Sequence, residues 1–452
     1  MSINLFNRRA TVLPSLHNIL NSISRTLTCN SNKFNKKNKD KDERKEIRKK
    51  NRWKAIAAAK YCSIGTASLL ITRRLWIIHR MNRIQRDLLR QLSQDTTVHK
   101  RASLPYTLVR SLRLAAMFLP IFLTSPLAFL NCPNSYTLNG WWWLVERTVN
   151  RAGPTWIKFM QWLSTRPDMI PMHICAKLSR FQANCKEHPF RDTLAILERS
   201  VNVEKTFAHI NPTPIASGSI GQVYEATLRS PLGHFFDSKV ALKVVHPGVS
   251  RSVRADLRIL SGLKSVFEHL PFFNSIPLTE AFTAFREQML NHLDLRKEAV
   301  NLCRFNINFS SVWDRCVRFP RPFPGLVKEG FLVESYEPGV PIRRVADGCN
   351  GKLKAAVARL CMDGFLKMMF RDNFMHMDLH PGNILVHERG RLLSPRVVFL
   401  DPGLTASLSK EKMKNFCEMC FLVSTKRSKE AAAMMIDRGP KGTKCTPKQR
   451  GK

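Results

Sequence analysis

The chain has 452 residues, 44% of them hydrophobic, enough for a two-lobed domain with a buried core and an N-terminal extension. Lys and Arg number 73 against 34 Asp and Glu, a formal net charge of +39, which favours anionic lipid surfaces, nucleotides or other polyanions. No RNA-type aromatic signature accompanies the charge, so no nucleic acid partner is expected.

Residues 1–39 contain no Asp or Glu and carry Arg8, Arg9 and Arg25. Leu13, Leu16, Ile19, Leu20 and Ile23 fall at helical spacing. An acid-free, Arg-bearing amphipathic start is the composition of a mitochondrial transit peptide, and no apolar run of the secretory kind follows it. Residues 40–105 read as a basic, solvated linker. Within 106–140 lies the uncharged run Leu114–Leu130, interrupted by Pro120 and Pro126. It falls just short of the ~20 apolar residues of a membrane span, so a membrane anchor and a helix buried on the domain are both open.

Residues 141–213 read as a helical extension, 214–345 as one lobe, 346–425 as a second, and 426–452 as a basic tail. Pro214–Ala226 reads PIASGSIGQVYEA. The small residues Ala216, Ser217, Gly218, Ser219 and Gly221 at a strand–turn–strand let backbone N–H groups approach phosphates. The strand KVALKVV follows, with Lys243 in its middle, where kinases carry the lysine for the α and β phosphates. Downstream, NFMHMDLHPGNILV sets Asp378 and Asn383 at the spacing that places an aspartate at an acceptor hydroxyl and an asparagine on Mg²⁺. A second strand delivers Asp401-Pro402-Gly403, where kinases hold the metal aspartate. In that order the pieces predict an α+β, two-lobed protein-kinase-like fold with ATP (or ADP) and Mg²⁺ as cofactors. Catalytic roles fall to Asp378 and Lys243, and metal roles to Asn383 and Asp401. Met377 stands where H-R-D has Arg, so control by activation-loop phosphorylation is not expected. About fifty residues follow Asp401, fewer than a full helical lobe needs, and a truncated C-lobe is expected. Cys417 and Cys420 form the single C-x-x-C of the chain and read as buried helix cysteines.

These residues resemble the aarF-domain (UbiB) family of atypical kinases over roughly 141–423. AGPTWIKFMQWLSTRPDMIP looks like that family's K-x-G-Q extension, with Lys158 and Gln161 in the named positions, and DLRKEAVN looks like its E-A-x-N helix. The resemblance implies a mitochondrial, inner-membrane-associated ATPase or phosphotransferase tied to coenzyme Q biosynthesis or lipid metabolism. Membrane lipid or quinone-pathway proteins would be its partners. It adds Lys158, Gln161 and Glu298 to the nucleotide site. Glu287 and Glu298 both compete as partner of Lys243, and Glu298 could instead close an ion pair with Lys158. Met160 in place of the K-x-G-Q glycine, Pro402 in D-P-G and His292 in place of a family glutamate depart from the pattern. They favour the competing expectation of a nucleotide-sensing scaffold that binds lipid or protein with little turnover.

Overall fold

The computed structural model describes residues 76–93, 103–130, 136–179, 187–229, 239–269, 278–310, 316–348, 350–387 and 395–438, apart from Ile77 and Asp168. The transit-peptide segment and most of the basic linker lie outside the described residues. After a helical segment at 78–93, the extension is built of α1 (Leu104–Leu130), α2 (Tyr136–Ala152), α3 (Pro154–Ser164), α4 (Met172–Leu178), α5 (Phe190–Glu198) and α6 (Val203–Thr206). The first lobe holds β1 (Phe207–Ile210), β2 (Ala216–Ser217), β3 (Gly221–Leu228) and β4 (Lys239–Val245). Then come α7 (Val249–Phe267), α8 (Leu278–His292), α9 (Leu295–Asn308), β5 (Val317–Arg318), β6 (Pro322–Val327) and β7 (Phe331–Ser335). The second lobe follows with β8 (Val340–Pro341), α10 (Ile342–Asp347), α11 (Gly351–Leu366), β9 (Met375–His376), β10 (Ile384–His387), β11 (Arg396–Phe399), β12 (Thr405–Ala406), α12 (Lys410–Ser424) and α13 (Ser428–Asp437).

One sheet of six strands runs β1-β3-β4-β7-β6, with β2 added on β3. Its period-2 pattern is plainest in β3, where Gln222, Tyr224, Ala226 and Leu228 are buried and their neighbours half-buried. Val240, Leu242, Val244, Phe323, Phe331 and Val333 complete that core, and Leu197 of α5 and Phe207 cover it. The lobe therefore begins at Phe207 in β1, before the expected boundary at 214. The boundary at 345 is also softer than expected. β5 pairs in parallel with β11 and β8 pairs with β10, so short strands from the first segment complete the sheet of the second. Within the basic tail, Ser428–Asp437 is helical.

A ring cluster lies between the lobes. Phe305 of α9 stacks on Phe319 at 4.5 Å and meets Phe374 at 4.6 Å, just before the strand that carries His376. The extension is docked by bulk at α3. Phe159 and Trp162 pack on Phe285 of α8 at 5.2 and 5.5 Å. Gly153, at φ 107°, turns the chain between α2 and α3, and Pro154 starts α3 with a fixed φ.

α1 does not bury its apolar surface evenly. Leu114 and Ile121 join the core, while Leu108, Val109, Leu112, Leu119, Phe122 and Leu123 are exposed. Arg110, on the inner face, places Nε 2.8 Å from Oδ1 of the fully buried Asp256 on α7, and its Nη2 donates to the Ala152 carbonyl. Trp141 Nε1 donates to the Ile121 carbonyl at 3.1 Å, which folds α2 back along α1. Of the two sequence expectations, the helix is thus held against the domain on one side and left apolar on the other. The cysteines depart from expectation too. Cys417 is exposed and Cys420 half-buried on α12, whose one buried residue is Leu422.

Candidate functional site

The small-residue turn forms as the β2–β3 hairpin, with Ala216 opposite Val223 and Ser217 opposite Gln222. Gly218 N–H donates to the Gly221 carbonyl at 2.9 Å and closes the turn. Gly221 lies so close to β4 that a Cβ there would collide with the Val244 carbonyl, so glycine alone fits. Ser219 is buried, and the buried Ser217 hydroxyl finds no hydrogen-bond partner among the described residues.

Lys243 stands opposite Val223 on one side and Leu332 on the other, in the centre of the sheet. Its Nζ lies 2.6 Å from Glu298 Oε1 and 3.1 Å from Asp401 Oδ1. This geometry joins the strand, the E-A-x-N helix and the D-P-G turn at one ammonium. Burial alone would lower the Lys243 ammonium, but Asp401, Glu298 and Glu334 outweigh it and hold it well above the ordinary lysine value. Burial alone would raise Asp401, but the Lys243 charge, with His292 and Lys158 behind it, keeps that carboxylate well below the usual range. Burial pushes Glu298 up to about 7 against the pull of Lys243.

The catalytic loop is built around His376. Its Nε2 lies 2.9 Å from the Leu400 carbonyl, to which it donates, and its Nδ1 accepts the Asp378 N–H at 3.2 Å. Asn383 Nδ2 donates to the Asp378 carbonyl at 3.0 Å, and Leu400 N–H donates to the Asn383 carbonyl at 2.8 Å. The β10–β11 register, Ile384 against Phe399, thus carries Asn383 beside the strand end that delivers Asp401. Asp401 takes a left-handed backbone, φ 53°, which aspartate tolerates better than most residues. Asn301 Nδ2 donates to the Pro402 carbonyl at 2.8 Å, and Met377 N–H donates to the Leu404 carbonyl at 3.0 Å, tying down both ends of the turn.

The alternatives for Lys243 are decided by exposure: Glu287 faces solvent on α8, and Glu298 makes the pair. This corrects the pairing of Lys158 with Glu298. Glu298 is closed by Lys243, and the half-buried Lys158 adds positive charge near Asp401 and His292. Gln161 lies one turn along on the same helix α3. His292 ends α8 beside Gly403, where a Cβ would stand 3.1 Å from its Nδ1, and its buried Nε2 has no partner among the described residues.

Two residues of the site were not anticipated. Asn301 carries no signal beyond its place in DLRKEAVN. Glu334 had one: it is a carboxylate in the apolar strand FLVES, and such residues are seldom buried unless they do something. Burial, then the negative charge of Glu298, pushes it up to about 8.

Two carboxylates, Glu298 and Asp401, thus reach one lysine, with Glu334 buried near it, and the oxygen donors offered beside them are Asp401, Asp378 and the Asn383 amide. Among the described residues no three His, Cys, Asp or Glu side chains gather to hold a metal by themselves. The oxygen donors fit Mg²⁺, which takes one or two protein oxygens and completes its shell with phosphates and water.

Comparisons with known proteins give the family. The ABC1 atypical kinase-like domain matches residues 180–435. The probable serine/threonine-protein kinase abkC of Dictyostelium discoideum is 38% identical over 282 residues, which cover 62% of this chain and 39% of that protein. A mitochondrial ABC1 family protein of Schizosaccharomyces pombe is 28% identical over 401 residues, 73% of this chain and 58% of its own length. A mitochondrial ABC1 family protein of Saccharomyces cerevisiae is 30% identical over 308 residues, 62% and 46% of the two chains. The chain therefore spans between 39% and 58% of the length of these relatives. With the family domain matched over more than half of its residues, this chain belongs to the ABC1 (aarF/UbiB) atypical kinase-like family.

Proposed function

We propose that this chain is a mitochondrial ATP-binding protein of kinase type, a phosphotransferase or ATPase, that works at a membrane in support of coenzyme Q (ubiquinone) biosynthesis or lipid metabolism. The observation that carries the nucleotide reading is the position of Lys243 Nζ, 2.6 Å from Glu298 and 3.1 Å from Asp401. In this reading Lys243 holds the α and β phosphates. Asp401 and Asn383 hold Mg²⁺, which neutralises the charge that develops on the phosphates. Asp378 accepts the proton of the acceptor hydroxyl or water. The hairpin at Ser217–Gly221 lies over the phosphates, and Lys158 and Gln161 close the site from α3.

The mitochondrial names of two relatives support the compartment. The apolar outer face of α1 supports membrane contact: Leu104–Pro126 is long and apolar enough to cross a bilayer, and little of it is buried. The bond from Arg110 to Asp256 favours α1 lying along a membrane surface over spanning it, since the pair holds the helix on the domain. The second reading, a nucleotide-sensing scaffold with little turnover, is favoured by the His292 ring lodged beside Gly403 and by Met160 packed on the core of the extension. Purified protein should turn over Mg-ATP faster with anionic liposomes than without, and Asp401→Asn should not turn over. Nucleotide binding with no turnover in either condition would select the scaffold.

A further inference from the structure

A chain of hydrogen bonds runs from the buried face of β3 to the tip of the phosphate turn, and its polarity is fixed at both ends. At one end, Gln222 Oε1 accepts the backbone N–H of His188 at 3.2 Å, and Gln222 Nε2 donates to the His188 carbonyl at 3.1 Å. The backbone thus settles which amide atom is nitrogen. That Nε2 also donates to the Tyr224 hydroxyl oxygen. Gln222, Tyr224 and Thr193 are each fully buried, so every proton here needs an acceptor. The Tyr224 O–H therefore donates to Thr193 Oγ1, 2.9 Å away, and the Thr193 O–H donates to His188 Nε2, 2.8 Å away. With Nε2 accepting, His188 carries its proton on Nδ1. That proton goes to His246 Nδ1 at 2.7 Å, where only one hydrogen fits between the two rings. His246 then carries its proton on Nε2, which donates to the Gly218 carbonyl at 2.9 Å. The far end, a carbonyl, demands the same direction. The reverse direction would strand the Tyr224 proton in the core.

The chain joins three parts of the fold that are distant in sequence: the start of α5, the buried face of β3 and the residue after β4. Burial, and then the neighbouring His246, holds His188 below the ordinary imidazole value despite Asp192, in keeping with a neutral ring. The His246 backbone N–H donates to the Ile220 carbonyl at 2.8 Å, so both its backbone and its side chain grip the turn. With the Gly218 carbonyl held on the His246 side, its negative end cannot swing toward a phosphate.

We infer that His246 is a positioning residue that straps the turn 216–221 onto β4 through a single-polarity relay from Gln222, and so presets it for phosphate. The relevance to phosphate rests on the nucleotide reading above; the strap itself does not. Three measurements on the full chain test it. Selective ¹⁵N-histidine NMR, assigned with His188→Ala and His246→Ala, is expected to show His188 as the Nδ1–H tautomer and His246 as the Nε2–H tautomer. Hydrogen exchange of the amides at 218–221 is expected to rise about 3- to 10-fold in His246→Ala, the loss of one net hydrogen bond. Thr193→Val is distant from the turn and removes the hydroxyl that links Tyr224 to His188. It is expected to leave His188 Nε2 without a donor while the Gly218 carbonyl keeps the Nδ1–H tautomer, to loosen the His188–His246 contact, to raise the same exchange rates, and to weaken binding of a fluorescent Mg-ATP analogue by a similar factor with kcat little changed. An Nε2–H tautomer on His188 in the unaltered chain, or unchanged exchange in His246→Ala, would overturn the strap. The strap signatures without analogue binding by the unaltered chain would overturn the nucleotide reading and leave the strap standing.

Discussion

The strap and the catalytic centre both use the sheet that carries Gln222 and Lys243, and they are opposites in their chemistry. From Gln222 to Gly218 the strap is neutral, its direction fixed, and each of its buried protons meets an acceptor. Around Lys243 three carboxylates compete for one ammonium, and the polar atoms Ser217 Oγ and His292 Nε2 are buried without partners among the described residues. Satisfied buried networks rigidify, and unsatisfied ones are costly, so their presence needs a reason. In the proposed reading, the strap is scaffold and the centre is a site whose charge a bound cation and phosphate would complete.

Breaking the centre at its cation should give the largest effect. Lys243→Ala leaves Glu298, Glu334 and Asp401 facing one another with no counter-charge. It should abolish nucleotide binding and cost about 3–5 kcal/mol, the usual result of removing one partner of a buried pair, by urea unfolding. Arg110→Ala should come close behind in stability, because Asp256 is fully buried, but should leave nucleotide binding nearly intact at a temperature where the fold persists. A loss of binding equal to that of Lys243→Ala would mean that α1 and the site are one unit.

Glu334 sharpens the comparison through pH. Its folded value, about 8, lies above the unfolded glutamate value, so the folded state keeps a proton that the unfolded state has released. The stabilisation is full below the unfolded value of about 4.3 and is lost as pH rises toward 8. The unaltered chain should therefore lose up to about 1.4 kcal/mol per pH unit in that interval from this one group. Glu334→Gln should flatten the curve there; an unchanged slope would place the titration elsewhere.

What the sequence disclosed followed how local each signal was. Gly218 and Gly221, Lys243 in its strand, Asp378 with Asn383, and the D-P-G at Asp401 are each set by spacing within about ten residues, and the fold brings them together. The strap could not be read, since its members at 188, 193, 222 and 246 converge only once α5 packs on the sheet. The Lys158–Glu298 alternative gave way for a related reason: one carboxylate with two candidate lysines is decided by which of them the fold brings to it, and Lys243 Nζ stands 2.6 Å from Glu298 Oε1. Cys417 and Cys420 were misplaced because an apolar run on a helix does not say whether another layer covers it. The left-handed backbone at Asp401 has no sequence signal beyond the residue's tolerance for it.

The most direct test of the central claim, a Mg-nucleotide held between Lys243 and Asp401, is the thermal shift that Mg-ATP induces in the unaltered chain and in Asp401→Asn. Binding at 100 times the dissociation constant stabilises by about 2.7 kcal/mol, ample for a shift of several degrees. The account predicts that shift in the unaltered chain and little or none in Asp401→Asn. Equal shifts in the two proteins would contradict it.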